Sequence, residues 1–357
     1  MRLLVLGCAG IASLALAANS FAKTQLLVSG ATAIGASATT IADVSRAKED
    51  AASAQTSIYI PNGYKANLGQ SPGTQIGTVA ARAQLLEINA DTVVDLTGTI
   101  LVADQSDPAL QTSAEQCTGT RTHAAIWLLR LVVSGQTVTV PVYVDQSSGS
   151  DTTFSSAKLV LCLPQPYAKA LPNYSPFGTK IVEAKTTLSA GVLTNPISAG
   201  TYVWRTVLTP WAANGAASNL AGTTEAQAIA FIPASLSLTA KVTTVRHKKH
   251  GRTTVTNSVL LSGKLLENLQ GVSGATVAFF VNGKSAGSTK TKAAGAYATT
   301  AGLRKRTRFS ARATVPTRDT PCVSPLPVTA VPGGCVSATT AGYTLISSTV
   351  LATPRKR

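Results

Sequence analysis

Any chemistry in this chain must come from a short stock of reactive side chains. Its 357 residues include 15 carboxylates, three histidines and five cysteines. Glycoside hydrolysis needs two carboxyl groups facing across the scissile bond. Glu87, Asp91 and Asp95 are near enough in sequence to supply such a pair, although the solvated side of a strand or helix is the plainer reading. Nucleophilic catalysis needs a base beside a hydroxyl or thiol. Ser and Thr abound, but no G-x-S-x-G elbow occurs. His123 with Asp104 or Asp107 is a conceivable base and orienter, with a partly exposed loop histidine as the plainer reading. Asn282-Gly283-Lys284-Ser285 has the ending of a phosphate loop, but Ala278 stands where the first Gly belongs and strands flank the segment. The expectation is therefore a non-enzymatic protein without a cofactor.

A metal site is equally unpromising. No C-x₂-C pair exists, and His247 and His250 lie in the string RHKKHG, whose lysines would repel a cation. The cysteines read better as bridges. Met1 to Ala22 has the form of a secretory signal: Arg2, an apolar run over 3–17, and small residues before a cut after Ala22. Cys8, in a Val-Leu-Gly-Cys string that resembles a lipoprotein box, is expected to leave with it. Four cysteines then remain in an exported chain, which favours two disulfides. Three connectivities are possible, and the division of the chain given below prefers Cys117–Cys162 and Cys322–Cys335.

Charge supplies that division. Residues 1–234 hold 13 Lys and Arg against 13 Asp and Glu, whereas residues 235–357 hold 18 against only Glu267 and Asp319, so the net +16 belongs to the last third. The basic residues cluster as Arg246, Lys248, Lys249 and Arg252, then Arg304, Lys305, Arg306 and Arg308, then Arg355, Lys356 and Arg357, with Lys284 in a separate turn. Trp127, Trp204 and Trp211 all lie elsewhere, so no stacking platform for single-stranded nucleic acid accompanies the charge. Leu326-Pro327-Val328-Thr329-Ala330 resembles a sortase signal, but the polar stretch after it suits a strand better than a membrane tail.

The elements that would carry these residues read as mostly β. A mobile Ala/Ser/Thr-rich leader is expected over 23–56 and a β-rich domain over 57–234. Within the latter, 125–133, 137–144 and 158–163 have strand patterning, while 76–90 fits a helix nearly as well. In the last third, Val277, Phe279 and Val281 keep a two-residue period and Asn282-Gly283 follows at once, the dipeptide of a type I′ hairpin turn. Seven strands are expected, over 236–245, 253–264, 275–281, 285–291, 296–301, 307–315 and 336–351, with a long loop at 316–334. No segment of the mature chain is apolar enough for a membrane helix.

Residues 235–352 resemble the bacterial immunoglobulin-like domains of exported surface proteins and adhesins. The resemblance rests on the strand Ala275 to Val281, the Asn282-Gly283 turn, and the corner Thr291-Lys292-Ala293-Ala294-Gly295. Lys292 stands where these domains commonly carry Asp, so no acidic or calcium-linked role is expected there. The resemblance implies a seven-stranded sandwich and is nearly silent on function.

Together these readings predict an exported, mainly β protein of two sandwich-type domains after a cleaved signal, ending in a basic tail at 353–357. Successive sandwich strands run between two poles, which would gather the basic clusters at the pole remote from the first domain. A polyanionic partner such as wall polymer, acidic glycan or extracellular DNA is the expectation. The alternatives are a glycan or cell-wall hydrolase with a basic accessory domain, and a structural spacer.

Overall fold

The computed structural model describes residues 24–133, 136–250, 252–326 and 336–355. The expected signal segment, the Cys322–Cys335 bridge, positions 327–330 of the sortase-like string, and Lys356 and Arg357 lie outside the described residues. The fold is mainly β, with one α-helix among the described residues, Pro108–Thr118.

One sheet dominates. Its 13 strands run Gln25–Ser29, Thr40–Ser45, Thr179–Leu188, Gln75–Leu85, Val93–Val102, Ala125–Val133, Gln136–Gln146, Ser155–Cys162, Ser53–Pro61, Gly200–Pro210, Thr224–Ile232, Val336–Thr340 and Arg318–Val323. Every pairing is antiparallel except that of Thr224–Ile232 with Val336–Thr340. The sheet coils back on itself. The Gln25 side-chain amide donates to Thr339 Oγ1 (3.3 Å), which brings the first strand beside the twelfth. Inside lie Leu26, Ile60, Ile100, Trp127, Val144 and Trp204. Burial of each such side chain is worth roughly 1.5–3 kcal/mol, so this core rather than local propensity holds the coil shut. Tyr64 packs edge-on against Trp204 with ring centres 5.1 Å apart.

Two smaller sheets face each other across a second core. In one, Arg252–Glu267 pairs with Thr239–Lys249 on one side and Ala296–Gly302 on the other. In the other, the order is Lys284–Lys290, Thr276–Val281, Thr307–Val315, then Tyr343–Ile346 and Val350–Ala352 along the last edge. Val259, Leu261, Leu265, Val277, Phe279 and Phe309 interlock between them, each at most 2 % exposed. The hairpin turn has the expected form: Asn282 and Gly283 take φ of 48° and 82° between the paired Val281 and Lys284.

Several elements differ from expectation, each through long-range pairing. The segment expected as a mobile leader supplies Gln25–Ser29 and Thr40–Ser45, because their alternating apolar residues reach the large core. Gln75–Leu85, where strand and helix spacing fitted almost equally well, is a strand, with buried residues alternating along most of its length. The expected last strand is divided. Val336–Thr340 and the unexpected strand Arg318–Val323 join the large sheet, and only Tyr343–Ile346 and Val350–Ala352 join the small one.

The sheet pair meets the large sheet around Glu267. Its buried carboxylate accepts from Arg318 and from the Tyr343 hydroxyl, both at 2.5 Å. Asn268 adds a backbone bond to the Pro233 carbonyl (2.8 Å).

Candidate functional site

At the opposite end, Thr239–Lys249 and Arg252–Glu267 continue past the body as a two-stranded ribbon. Their register is unbroken from Thr239↔Ser262 to Lys249↔Arg252. Support from the third strand ends early: Gly302 pairs with Ser258, and Leu303 donates to the Asn257 carbonyl (2.9 Å). The five pairs beyond Thr244↔Asn257 have no neighbouring strand among the described residues. At about 3.4 Å per residue they project roughly 17 Å. The tip closes at His250, which takes a left-handed φ of 50°.

Strand alternation decides which way each ribbon residue faces. Val242 and Val259 pair on the core face, so Thr244–Asn257, Arg246–Val255 and Lys248–Thr253 continue that face beyond the core. Val245, His247, Thr254 and Thr256 lie on the other face. Arg246, His247, Lys248 and His250 are all exposed.

The other basic segments surround the ribbon's base. Arg304, Lys305 and Arg306 form an exposed loop between two buried anchors, Leu303 and Phe309. Asn282 ties Lys284 to this end: its N–H donates to the Arg308 carbonyl (2.9 Å), and its side-chain oxygen accepts from the Arg308 N–H (3.0 Å). Thr307 pairs with Ala352, and the Asn257 amide donates to the Arg355 carbonyl (3.5 Å), so the chain's end returns here as well. The structure thus brings Arg246, Lys248, Lys249, Arg252, Lys284, Arg304, Lys305, Arg306, Arg308 and Arg355 to one end. None of the described basic side chains there is in an ion pair. The two acids of the last third lie elsewhere, Glu267 at the junction and Asp319 in the large sheet. Like charges without counter-charge raise the local potential and attract anions.

The enzyme candidates come apart. Glu87 pairs with Lys169 (3.7 Å) and Asp95 with Arg82 (3.6 Å). Asp107 caps the helix Pro108–Thr118 by accepting from Ala109 N–H, while Asp104 accepts from Ser106, which holds its carboxyl below the usual range. His123 instead meets Asp145, with Nδ1 2.7 Å from a carboxylate oxygen and a side chain only 2 % exposed. His123 lies in a loop and is partly exposed as a residue, as expected, but its side chain is turned inward. Its ring lies against Tyr143 at 4.9 Å, and its Nε2 sits 3.2 Å from Thr118 Oγ1. The Thr118 hydroxyl is also within bonding distance of the Ala114 and Thr120 carbonyls at the helix end. The cluster fastens the helix, as does the neighbouring Cys117–Cys162 disulfide, which formed as expected with Cα atoms 5.7 Å apart.

Sequence reasoning missed this helix, although Asp107, Pro108 and Gly119 are its start and stop signals. Only Ala114 is buried along it, so no apolar stripe advertised it. A cleft of about 60 Å³ near the junction is lined by Val28, Tyr64, Asn195, Phe231, Thr340 and Tyr343, among others, and contains no carboxylate or basic side chain. Among the described residues there is no metal-binding cluster, and no helix is long and apolar enough to cross a membrane.

No family model, curated protein or solved structure matches the chain.

Proposed function

We propose that this is an exported, non-enzymatic interaction module of the cell surface or extracellular space, which contacts polyanions through its basic end. In this reading the chain has two domains, with a boundary near 234 and the 318–340 excursion returned to the first. The second is an immunoglobulin-like sandwich. Its strand order, with 239–249, 252–267 and 296–302 facing 284–290, 276–281, 307–315 and 343–352, suits that architecture.

The observation that carries the reading is the convergence of four basic segments, distant in sequence, at the end remote from the large sheet. Concentrated like charge costs stability through repulsion unless an anion screens it, so scattered solubility charge is the weaker explanation. Heparin chromatography tests this. The full chain should be retained and should elute earlier after Lys248, Lys249, Arg304 and Lys305 are replaced by Ser. Retention unchanged by those four substitutions would overturn the reading.

A further inference from the structure

Resting on the polyanion reading, we infer that the preferred ligand is duplex DNA, with the projecting ribbon seated in its major groove. Four features of the ribbon point there. It is two-stranded, and the major groove, about 12 Å wide and 8.5 Å deep, admits such a ribbon whereas the minor groove, about 6 Å wide, is tight. Its unsupported length of about 17 Å exceeds that depth, so the tip reaches the groove floor before the body meets the phosphates. Polar groups that can reach groove walls lie on both faces: Arg246, Lys248 and Thr253 on one, His247, Thr254 and Thr256 on the other.

The fourth feature is what the ribbon lacks. Residues 245–257 contain no Phe, Tyr or Trp, and single strands are held chiefly by bases stacking on aromatic rings. The basic loop at Arg304–Arg306 and the chain end at Arg355 stand beside the ribbon's base. There they would meet the phosphates that flank a filled groove. Phosphate contacts of this kind set position without reading sequence, so the binding is expected to be largely sequence-independent.

The test compares three probes with the full chain at matched salt: a mixed-sequence DNA duplex, one of its strands alone, and heparin. The duplex should bind at least about tenfold tighter than the single strand and compete better than heparin per unit charge. Guanine N7, which lies in the major groove, should be protected from methylation. Two variants locate the contact. R246S/K248S should reduce the slope of log affinity against log salt by about 2. A shortened ribbon, with 246–255 replaced by Asn-Gly between Val245 and Thr256, leaves the core untouched. It should abolish the duplex preference while the circular dichroism spectrum stays native.

Equal affinity for duplex and single strand, tighter heparin binding, or a duplex preference that survives shortening would each overturn the groove assignment. All three leave the polyanion reading standing. Failure to bind any of the three probes would overturn both.

Discussion

Leu303 donates its backbone N–H to the Asn257 carbonyl at 2.9 Å, and this bond marks where the ribbon leaves the body of the protein. Below it, the paired strands are covered on their inner face by Val277, Phe279 and Phe309. Above it, the same face turns from Val259 to Arg246 and Lys248, because nothing apolar remains opposite to cover it. Asn257 also reaches the Arg355 carbonyl, so one residue links the ribbon to two of the other basic segments.

The junction should be sensitive to loss of a single cation. Arg318→Ala leaves the buried Glu267 carboxylate without its guanidinium partner, which sits at 2.5 Å. Breaking a buried pair costs roughly 3–5 kcal/mol. Because Arg318 is one-third exposed, the lower end is expected. Urea unfolding measures it, and a loss under about 1 kcal/mol would mean that water already serves Glu267.

The half-buried disulfide should contribute substantially to stability. Cys117 and Cys162 close a loop of 45 residues, for which chain entropy gives about 4 kcal/mol in the unfolded-state account. C117S/C162S should unfold at clearly lower denaturant and with its helix 108–118 loosened. An unchanged midpoint would show that the surrounding strands alone hold this region.

Alkaline stability should decline between about pH 10 and pH 12. Burial pushes both Tyr64, in the large core, and Tyr297, in the small one, up to about 12. The unfolded chain ionises its phenols near 10. Folding therefore favours the protonated forms: their contribution is complete below pH 10 and fades as the pH climbs to the folded value. Denaturant midpoints across that range, followed beside tyrosinate absorbance, check the sign. A midpoint that rises with pH there would contradict it.

Residues 235–357 expressed alone should keep the core of the sheet pair and lose order only in the excursion. Among the described residues, every buried member of that core lies between Leu238 and Ala352, and none lies in 316–342. The excursion, by contrast, pairs with Gln227 and Ala228 and accepts a bond from Arg205 at the Ser324 carbonyl. Limited proteolysis should cut within 318–340 and leave the rest intact by mass. General degradation of the fragment would mean that the sheet pair needs the large sheet to fold.

Much of the small sheet pair was legible in the residues themselves. The period of Val277, Phe279 and Val281 followed by Asn-Gly determines a hairpin locally, since side-chain alternation and positive φ depend on neighbours a few positions away. Charge asymmetry was legible too, and strands that alternate direction were enough to gather the basic clusters at one end. Only the tertiary structure decided the partners of distant segments. His123 found Asp145, 22 positions on, rather than Asp104 or Asp107, because antiparallel strands set it there while local turns consumed the nearer acids. Val336–Thr340 has the alternation of a strand wherever it docks, and the open edge beside Thr224–Ile232 claimed it. The length of free ribbon was likewise undecided until Leu303 ended its neighbour at Asn257. Local periodicity says which face of a strand is apolar; which edge lies opposite depends on loop closure and on cores assembled from the whole chain.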